Sequence, residues 1–120
     1  MKKIAFSTSG TGLASEVDLR FGRASGFLVY DLTDESVQLL ENRQARNAEQ
    51  GAGIQAAETV VRAGVDTLVT GHCGPKAFKV LDAAGIAVFN GACGTVYESL
   101  EALQAGKLRR ATAADVEGHW

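Results

Sequence analysis

The chain has 120 residues, of which 46% are hydrophobic and 22% are charged, and its formal net charge at pH 7 is −2. This length is enough for one compact domain with its own core and is too short for two. General binders of nucleic acid or of membrane surfaces carry a clustered basic excess that displaces counterions, so the charge argues against both classes. We therefore predict a single domain without a nucleic acid or membrane partner.

The N-terminal segment starts with two lysines and continues into a short apolar strand, residues 3–6. It lacks the apolar stretch that a signal peptide requires, and no run in the sequence approaches membrane-spanning length. Two cysteines in such a chain are typical of a reducing compartment, where thiols are ligands, nucleophiles or core residues more often than disulfides. We expect a cytoplasmic protein.

A long polar stretch with several glycines, residues 7–26, follows the first strand and is predicted to be a functional loop. The next two apolar segments, residues 27–32 and 37–43, flank the turn-forming sequence Thr-Asp-Glu-Ser. This arrangement predicts an antiparallel hairpin.

The second half of the chain alternates helices and strands. Apolar residues at helical spacing predict helices over residues 54–64, 75–85 and 95–106, the last of them opening with a capping box from Thr95 to Glu98. Strands are predicted at residues 66–71 and 86–89. We expect one domain over residues 1–106 and a flexible C-terminal tail over residues 107–120.

This order of elements predicts an α/β fold of the RNase H-like kind. Two successive strand-helix units imply right-handed parallel crossovers, and the hairpin reverses one strand. The prediction is therefore a mixed five-stranded sheet with one antiparallel strand and with helices packed on the sheet.

The only two cysteines lie in two copies of the pattern Gly-x-Cys-Gly, residues 71–74 and 91–94. Each copy follows a predicted parallel strand and precedes a helix, which places both at the carboxyl edge of the sheet, where ligands bind. Cys73 and Cys93 would then line one crevice. A helix N-terminus and a nearby cation would lower the pKa of a thiol and make a thiolate available to a soft metal or its sulfide. The alternative is that both cysteines are small packing residues in tight turns.

The same edge carries groups that favour an anion, because helix N-termini present unpaired N–H groups and the positive ends of their dipoles. The candidate binding residues come from three loops: Ser7, Thr8, Ser9, Arg20 and Arg23 from the first, His72 and Lys76 from the second, and Asn90 and Thr95 from the third.

Three segments, "DLRFGRASGFLVYDL", "TLVTGHCGPKAFKVLDAAGIAVF" and "LQAGKL", resemble the dinitrogenase iron-molybdenum cofactor-biosynthesis accessory family. The similarity covers nearly the whole chain and implies the same RNase H-like fold. It also implies a small protein that carries or helps to assemble molybdenum and iron sulfide clusters. Single-domain members of the orange-protein kind hold a mixed molybdenum-copper sulfide cluster without covalent attachment.

The resemblance implies a molybdenum-containing metal-sulfide cluster, Mo-Cu or Mo-Fe, and a donor or acceptor protein as partner. We therefore expect a non-enzymatic carrier that recognises a preformed anionic cluster, with Cys73 and Cys93 as candidate metal ligands. The alternative is a cluster-free module that binds a protein or a small phosphorylated ligand. A two-metal nuclease is disfavoured because the first strand carries no carboxylate.

Overall fold

The computed structural model describes residues 1–42 and 51–112 of the chain. Its strands are β1 (Lys3–Thr8), β2 (Gly26–Asp31), β3 (Val37–Glu41), β4 (Thr67–Val69), β5 (Ala87–Asn90) and β6 (Arg109–Arg110). The helices in these residues are α1 (Ala52–Arg62), α2 (Pro75–Ala83) and α3 (Val96–Gln104). None of these helices has the length and the apolar character needed to cross a lipid bilayer.

The six strands form one mixed sheet in the order β3-β2-β1-β4-β5-β6. β1, β4 and β5 are parallel neighbours, whereas β2 is antiparallel to β1 and to β3, and β6 is antiparallel to β5. Two strands, β2 and β6, thus run against the others. The predicted α/β fold with a mixed sheet is confirmed, and the predicted five strands with one reversed are corrected to six strands with two reversed.

The additional strand comes from the segment that was predicted to be a loose tail. Arg109 pairs with Asn90 and Arg110 with Phe89. The N–H of Ala111, which is buried, donates to the carbonyl oxygen of Val88 at 2.7 Å. Within residues 107–112 the chain therefore forms a strand where a flexible tail was predicted. A strand of two residues is too short to give a recognisable pattern in the sequence. The rest of the predicted tail, residues 113–120, lies outside the described residues.

The sheet is covered on both faces, which explains why its central strands are apolar at nearly every position. Ala5 and Leu68 belong to a core cluster with the apolar residues of α1 and α2. Ile4, Phe6 and Val69 belong to a second cluster with α3 on the other face. The side chains of β1 and β4 therefore alternate between two separate apolar layers, as the pleat of a strand requires.

The helix boundaries agree with the local signals. The hydroxyl of Thr95 accepts a hydrogen bond from the Glu98 N–H at 3.1 Å, and the Thr95 N–H donates to the Glu98 carboxylate at 3.0 Å, so the capping box is confirmed. Gly64, with φ of 74°, follows the last residues of α1 in the left-handed conformation that ends helices. The strand predicted over residues 37–43 ends at Glu41, and residue 43 lies outside the described residues.

Candidate functional site

The loop between β1 and β2 lies across the carboxyl ends of the parallel strands. The N–H of Asp18 donates to the carbonyl oxygen of Ser7 at 2.7 Å, at the end of β1. The N–H of Val17 bonds to Gly94 at 2.9 Å, and the N–H of Phe21 bonds to His72 at 3.2 Å. The loop therefore contacts both Gly-x-Cys-Gly segments and joins them, whereas the sequence predicted a crevice between them.

The hydroxyls of Ser7 and Thr8, which were predicted to bind a ligand, hold this loop in place. Ser7 is fully buried, and its hydroxyl is hydrogen-bonded at 2.7 Å both to the carbonyl oxygen of Asp18 and to the hydroxyl of Thr70. The buried Thr8 hydroxyl donates to the carbonyl oxygen of Glu16 at 2.7 Å. These hydroxyls already have protein partners and brace the loop, whereas Ser9 is exposed to solvent.

The N-terminus of α3 is closed by the same loop. The N–H of Val96 donates to Ser15 at 2.8 Å, and the N–H of Tyr97 donates to Leu13 at 2.9 Å. The N–H of Glu98, the third residue of the helix, donates to the hydroxyl of Thr95. Thr95 is therefore a helix cap, and the first-turn N–H groups of α3 already have protein acceptors. These N–H groups are therefore not available to the anion that the sequence predicted at this helix.

Cys73 is a core residue. It is 1% exposed and belongs to the apolar cluster of α1 and α2, together with Phe21 and Phe78. Its thiol is placed 3.7 Å from the carbonyl oxygen of Gly74, which accepts its weak hydrogen bond. Burial raises the pKa of the Cys73 thiol to about 12. The predicted lowering of this pKa is wrong because desolvation of the thiolate outweighs the favourable field of the helix N-terminus.

Cys93, in contrast, is exposed to solvent in the loop before α3. The two thiols therefore do not line one crevice, although their loops follow adjacent parallel strands. Asn90, at the end of β5, is partly buried, and its side-chain oxygen has no hydrogen-bond partner among the described residues. Within residues 1–42 and 51–112 there is no group of three or more His, Cys, Asp or Glu side chains suited to a metal ion.

The predicted cations differ in exposure. The side chain of Arg20 is 72% exposed and places its Nε 4.0 Å from the carboxylate of Asp18. At such exposure this ion pair contributes little to stability. The backbone of Arg20 pairs with that of His72, so the first and second loops meet at this point. His72 and Arg23 are partly buried, and Lys76 is exposed in the first turn of α2.

A cleft of about 290 Å³ opens between the first turns of α1 and α2. It combines backbone and side-chain atoms from three segments that are distant in sequence. Its lining includes Phe21, Gly22, Gly53, Ile54, Pro75 and Lys76. Of the residues predicted from sequence, Lys76 lines this cleft, whereas the buried hydroxyls of the first loop brace the structure elsewhere.

Neither helix at this cleft has a side-chain cap. The N-cap residues are Gly51 and Gly74, and a glycine has no side chain that could accept a hydrogen bond from the first turn. Within residues 1–42 and 51–112, the N–H groups of Gly53 and Ile54 have no backbone acceptor. Two helix N-termini thus direct N–H groups that have no acceptor among the described residues, and the positive ends of their dipoles, to one space. This arrangement can bind an anion.

Close backbone contacts form the walls of the cleft. A Cβ atom added to Gly22 would lie 3.0 Å from the backbone nitrogen of Gly53, and one added to Gly53 would lie 3.3 Å from the Cβ of Ala77. Gly22, Gly51 and Gly53 are not among the site residues predicted from the sequence. The available signal was the Gly-Ala-Gly sequence that forms the N-cap and the first two residues of α1, with no Ser, Thr, Asp or Asn at the N-cap, which indicates a helix start left open.

Solved structures include several with the same fold. The apo form of the orange protein from Desulfovibrio gigas is 38% identical, with a TM-score of 0.90 over 93% of this chain and 94% of that one. A candidate NifB protein from Thermotoga, solved by NMR, is 34% identical, with a TM-score of 0.80 over 92% and 93% of the two chains.

Sequence comparison gives a consistent result. An uncharacterized protein from Methanocaldococcus jannaschii is 28% identical over 93 residues, which cover 75% of this chain and 78% of that protein. The family model described as dinitrogenase iron-molybdenum cofactor matches residues 1–106, which include the whole sheet except β6, all three described helices and the cleft. The chain therefore belongs to the dinitrogenase iron-molybdenum cofactor family.

Proposed function

We propose that this protein binds and carries an anionic molybdenum-containing metal-sulfide cluster, of the Mo-Cu or Mo-Fe type, at the cleft between α1 and α2. The observation that carries the proposal is that two helix N-termini without side-chain caps, together with Lys76, meet at one cleft. Family membership and the similarity to the orange protein support a role in handling a molybdenum cofactor. We assign the sheet to the RNase H-like class.

The walls of the cleft favour a soft anion. Phe21, Ile54 and Pro75 contribute apolar surface beside the N–H groups of the two helix N-termini. A strongly hydrated oxyanion loses much of its hydration free energy in such surroundings, whereas a larger anion with sulfur at its surface loses less. The combination of backbone donors with apolar walls therefore suits a metal sulfide better than a phosphate.

Recognition would depend on hydrogen bonds and charge, with little contribution from metal-thiolate bonds. Cys73 is buried with a raised pKa, so it supplies no thiolate at neutral pH. Cys93 is exposed but lies in the loop before α3, whose first-turn N–H groups already have acceptors. We propose a non-enzymatic role in which the cluster is received from one protein and delivered to another, a mode of binding that weak, reversible contacts would permit.

The experiment is a titration of the purified protein with tetrathiomolybdate, followed by its visible absorption. Molybdate serves as the control because it has the same tetrahedral shape and charge but carries oxygen in place of sulfur. We expect saturable binding of tetrathiomolybdate and weak competition by molybdate and by inorganic phosphate. Equal competition by phosphate would favour the alternative of a phosphorylated ligand, and the lack of any saturable binding would contradict the proposal.

A further inference from the structure

Asn42 does not line the cleft, yet it is hydrogen-bonded to the turn that forms one of its walls. Its side-chain nitrogen donates to the carbonyl oxygens of Gly22 at 3.3 Å and of Ala24 at 2.9 Å. Its backbone N–H donates to the carbonyl oxygen of Ser25 at 3.1 Å. Asn42 is 2% exposed, so these three bonds join the turn to the end of β3 in a buried environment.

The acceptor side of this amide has no donor within residues 1–42 and 51–112. The Oδ1 atom of Asn42 is buried and has no hydrogen-bond partner among the described residues. A buried acceptor without a donor costs free energy, which offsets part of the stabilisation from the two side-chain hydrogen bonds. What an amide provides here is two N–H groups on a single atom, which match the two carbonyl oxygens of the turn.

The turn that Asn42 holds stands directly against the first turn of α1. A Cβ atom at Gly22 would be 3.0 Å from the nitrogen and 3.1 Å from the Cα of Gly53. The position of Gly22 therefore determines how much space a ligand has at the Gly53 N–H. A small inward shift of the turn would cover this donor, and an outward shift would admit water to it.

We infer that Asn42 is a positioning residue for the cleft: by holding Gly22 at its contact distance from α1, it keeps the Gly53 N–H accessible to an anion and shielded from solvent. This inference rests on the proposed function. It adds a residue that neither touches the ligand nor belongs to the loops that the sequence indicated.

The test compares Asn42→Ala with Asn90→Ala, using tetrathiomolybdate as the probe. Asn90 was a candidate binding residue on sequence grounds, but it lies outside the lining of the cleft. It is a suitable control because its Oδ1 is also buried without a partner among the described residues. We expect the dissociation constant to rise at least about fivefold in Asn42→Ala and by less than about twofold in Asn90→Ala, measured well below both unfolding midpoints.

A second measurement does not depend on a ligand. In the wild-type protein, the Gly22 Cα lies close to the Gly53 nitrogen, since a Cβ added to Gly22 would be 3.0 Å from that nitrogen. This predicts a nuclear Overhauser effect between the Gly22 Hα atoms and the Gly53 amide proton. We expect this signal to weaken in Asn42→Ala and to persist in Asn90→Ala. If Asn42→Ala is folded and retains wild-type affinity, the inference is overturned, whether or not the signal weakens.

A third variant keeps the inference testable if Asn42→Ala does not fold. Gly22→Ala places a methyl group against the Gly53 nitrogen without changing Asn42, so it should weaken probe binding by itself. Wild-type affinity in Gly22→Ala would overturn the inference, because the position of this wall would then not affect binding. Failure of the wild-type protein to bind tetrathiomolybdate, with the Gly22–Gly53 signal still dependent on Asn42, would instead contradict the proposed function and leave the positioning of the turn established.

Discussion

The two Gly-x-Cys-Gly segments share a sequence pattern but have opposite structural roles. Both follow adjacent parallel strands, and each precedes a helix of nine residues. In residues 71–74 the cysteine is buried and the following helix starts at Gly74 without a side-chain cap. In residues 91–94 the cysteine is exposed, and the following helix starts at Thr95 with a complete capping box.

The contrast shows that the pattern itself does not define a binding site. What differs is how the N-terminus of each helix is satisfied. The N–H groups of α3 bond to Thr95 and to the loop between β1 and β2, so the protein itself supplies the acceptors. The N-termini of α1 and α2 face a cleft. In the proposed function, a ligand supplies the acceptors there. Four experiments test or sharpen this contrast.

The largest expected difference is in the chemical reactivity of the two thiols. At pH 8, iodoacetamide should modify Cys93 in the native protein at least about a thousandfold faster than Cys73, because the reactive species is the exposed thiolate. Cys73 is 1% exposed, and its pKa is raised to about 12. Mass spectrometry of the labelled peptides would measure both rates. In urea-unfolded protein the two rates should be similar, and similar rates in the native protein would contradict the burial of Cys73.

The second prediction concerns stability at alkaline pH. The Cys73 thiol has a pKa near 9.0 in an unfolded chain and about 12 in the native protein, so the unfolded state loses its proton first as the pH rises. The stabilisation is therefore fully present below pH 9 and is lost between about pH 9 and pH 12. Relative to Cys73→Ala, the wild-type free energy of unfolding should fall by up to about 1.4 kcal/mol per pH unit in that range.

Urea denaturation at pH 8 to about pH 10.5 would measure this difference. Comparison with Cys73→Ala removes the effects of lysines and tyrosines that titrate in the same range. Cys93→Ala, which removes an exposed thiol, is the matched control for the loss of a cysteine. A parallel pH dependence for Cys73→Ala and wild type would contradict the raised pKa.

The third prediction concerns charge at the open helix N-terminus. Lys76→Glu should weaken tetrathiomolybdate binding by about tenfold or more, because it reverses the charge at the wall of the cleft. A glutamate in the first turn of a helix interacts favourably with the helix dipole, so the stability of the protein should not fall. Lys79→Glu makes the same charge change at an exposed position of α2 outside the cleft lining, and it should have a much smaller effect. Equal loss of affinity in both variants would indicate a long-range charge effect only.

The smallest expected effects come from exchanging the two kinds of helix start. Gly74→Ser would add a side-chain cap to α2, and the backbone of Gly74, with φ of −71° and ψ of 170°, accepts a serine without strain. We expect the free energy of unfolding to rise by a few tenths of a kcal/mol and the affinity for tetrathiomolybdate to fall about two- to threefold. Thr95→Ala should have the opposite pattern, with a loss of about 1 kcal/mol in stability and unchanged affinity. Unchanged binding in Gly74→Ser would show that the uncapped N–H groups of α2 are not used.

Tertiary packing determined which of the predicted site residues are available to a ligand. Lys76 lines the cleft, whereas Ser7 and Thr8 are buried with protein partners. Sequence spacing placed all of them at the carboxyl edge of the sheet, and that edge is where the structure has them. Sequence spacing could not indicate that the loop between β1 and β2 would lie across this edge, because that arrangement depends on hydrogen bonds between residues far apart in the chain.

The sequence predicts those features that are set within a few residues or by one repeating period. These include the hairpin, the capping box of α3, the glycine helix ends and the two strand-helix units. The burial of Cys73, the strand β6, the meeting of two uncapped helices at one cleft and the hydrogen bonds of Asn42 depend on the tertiary structure. The physical reason is that desolvation and close backbone contact depend on which distant segments pack together, whereas turn and helix signals act over one or two turns of chain.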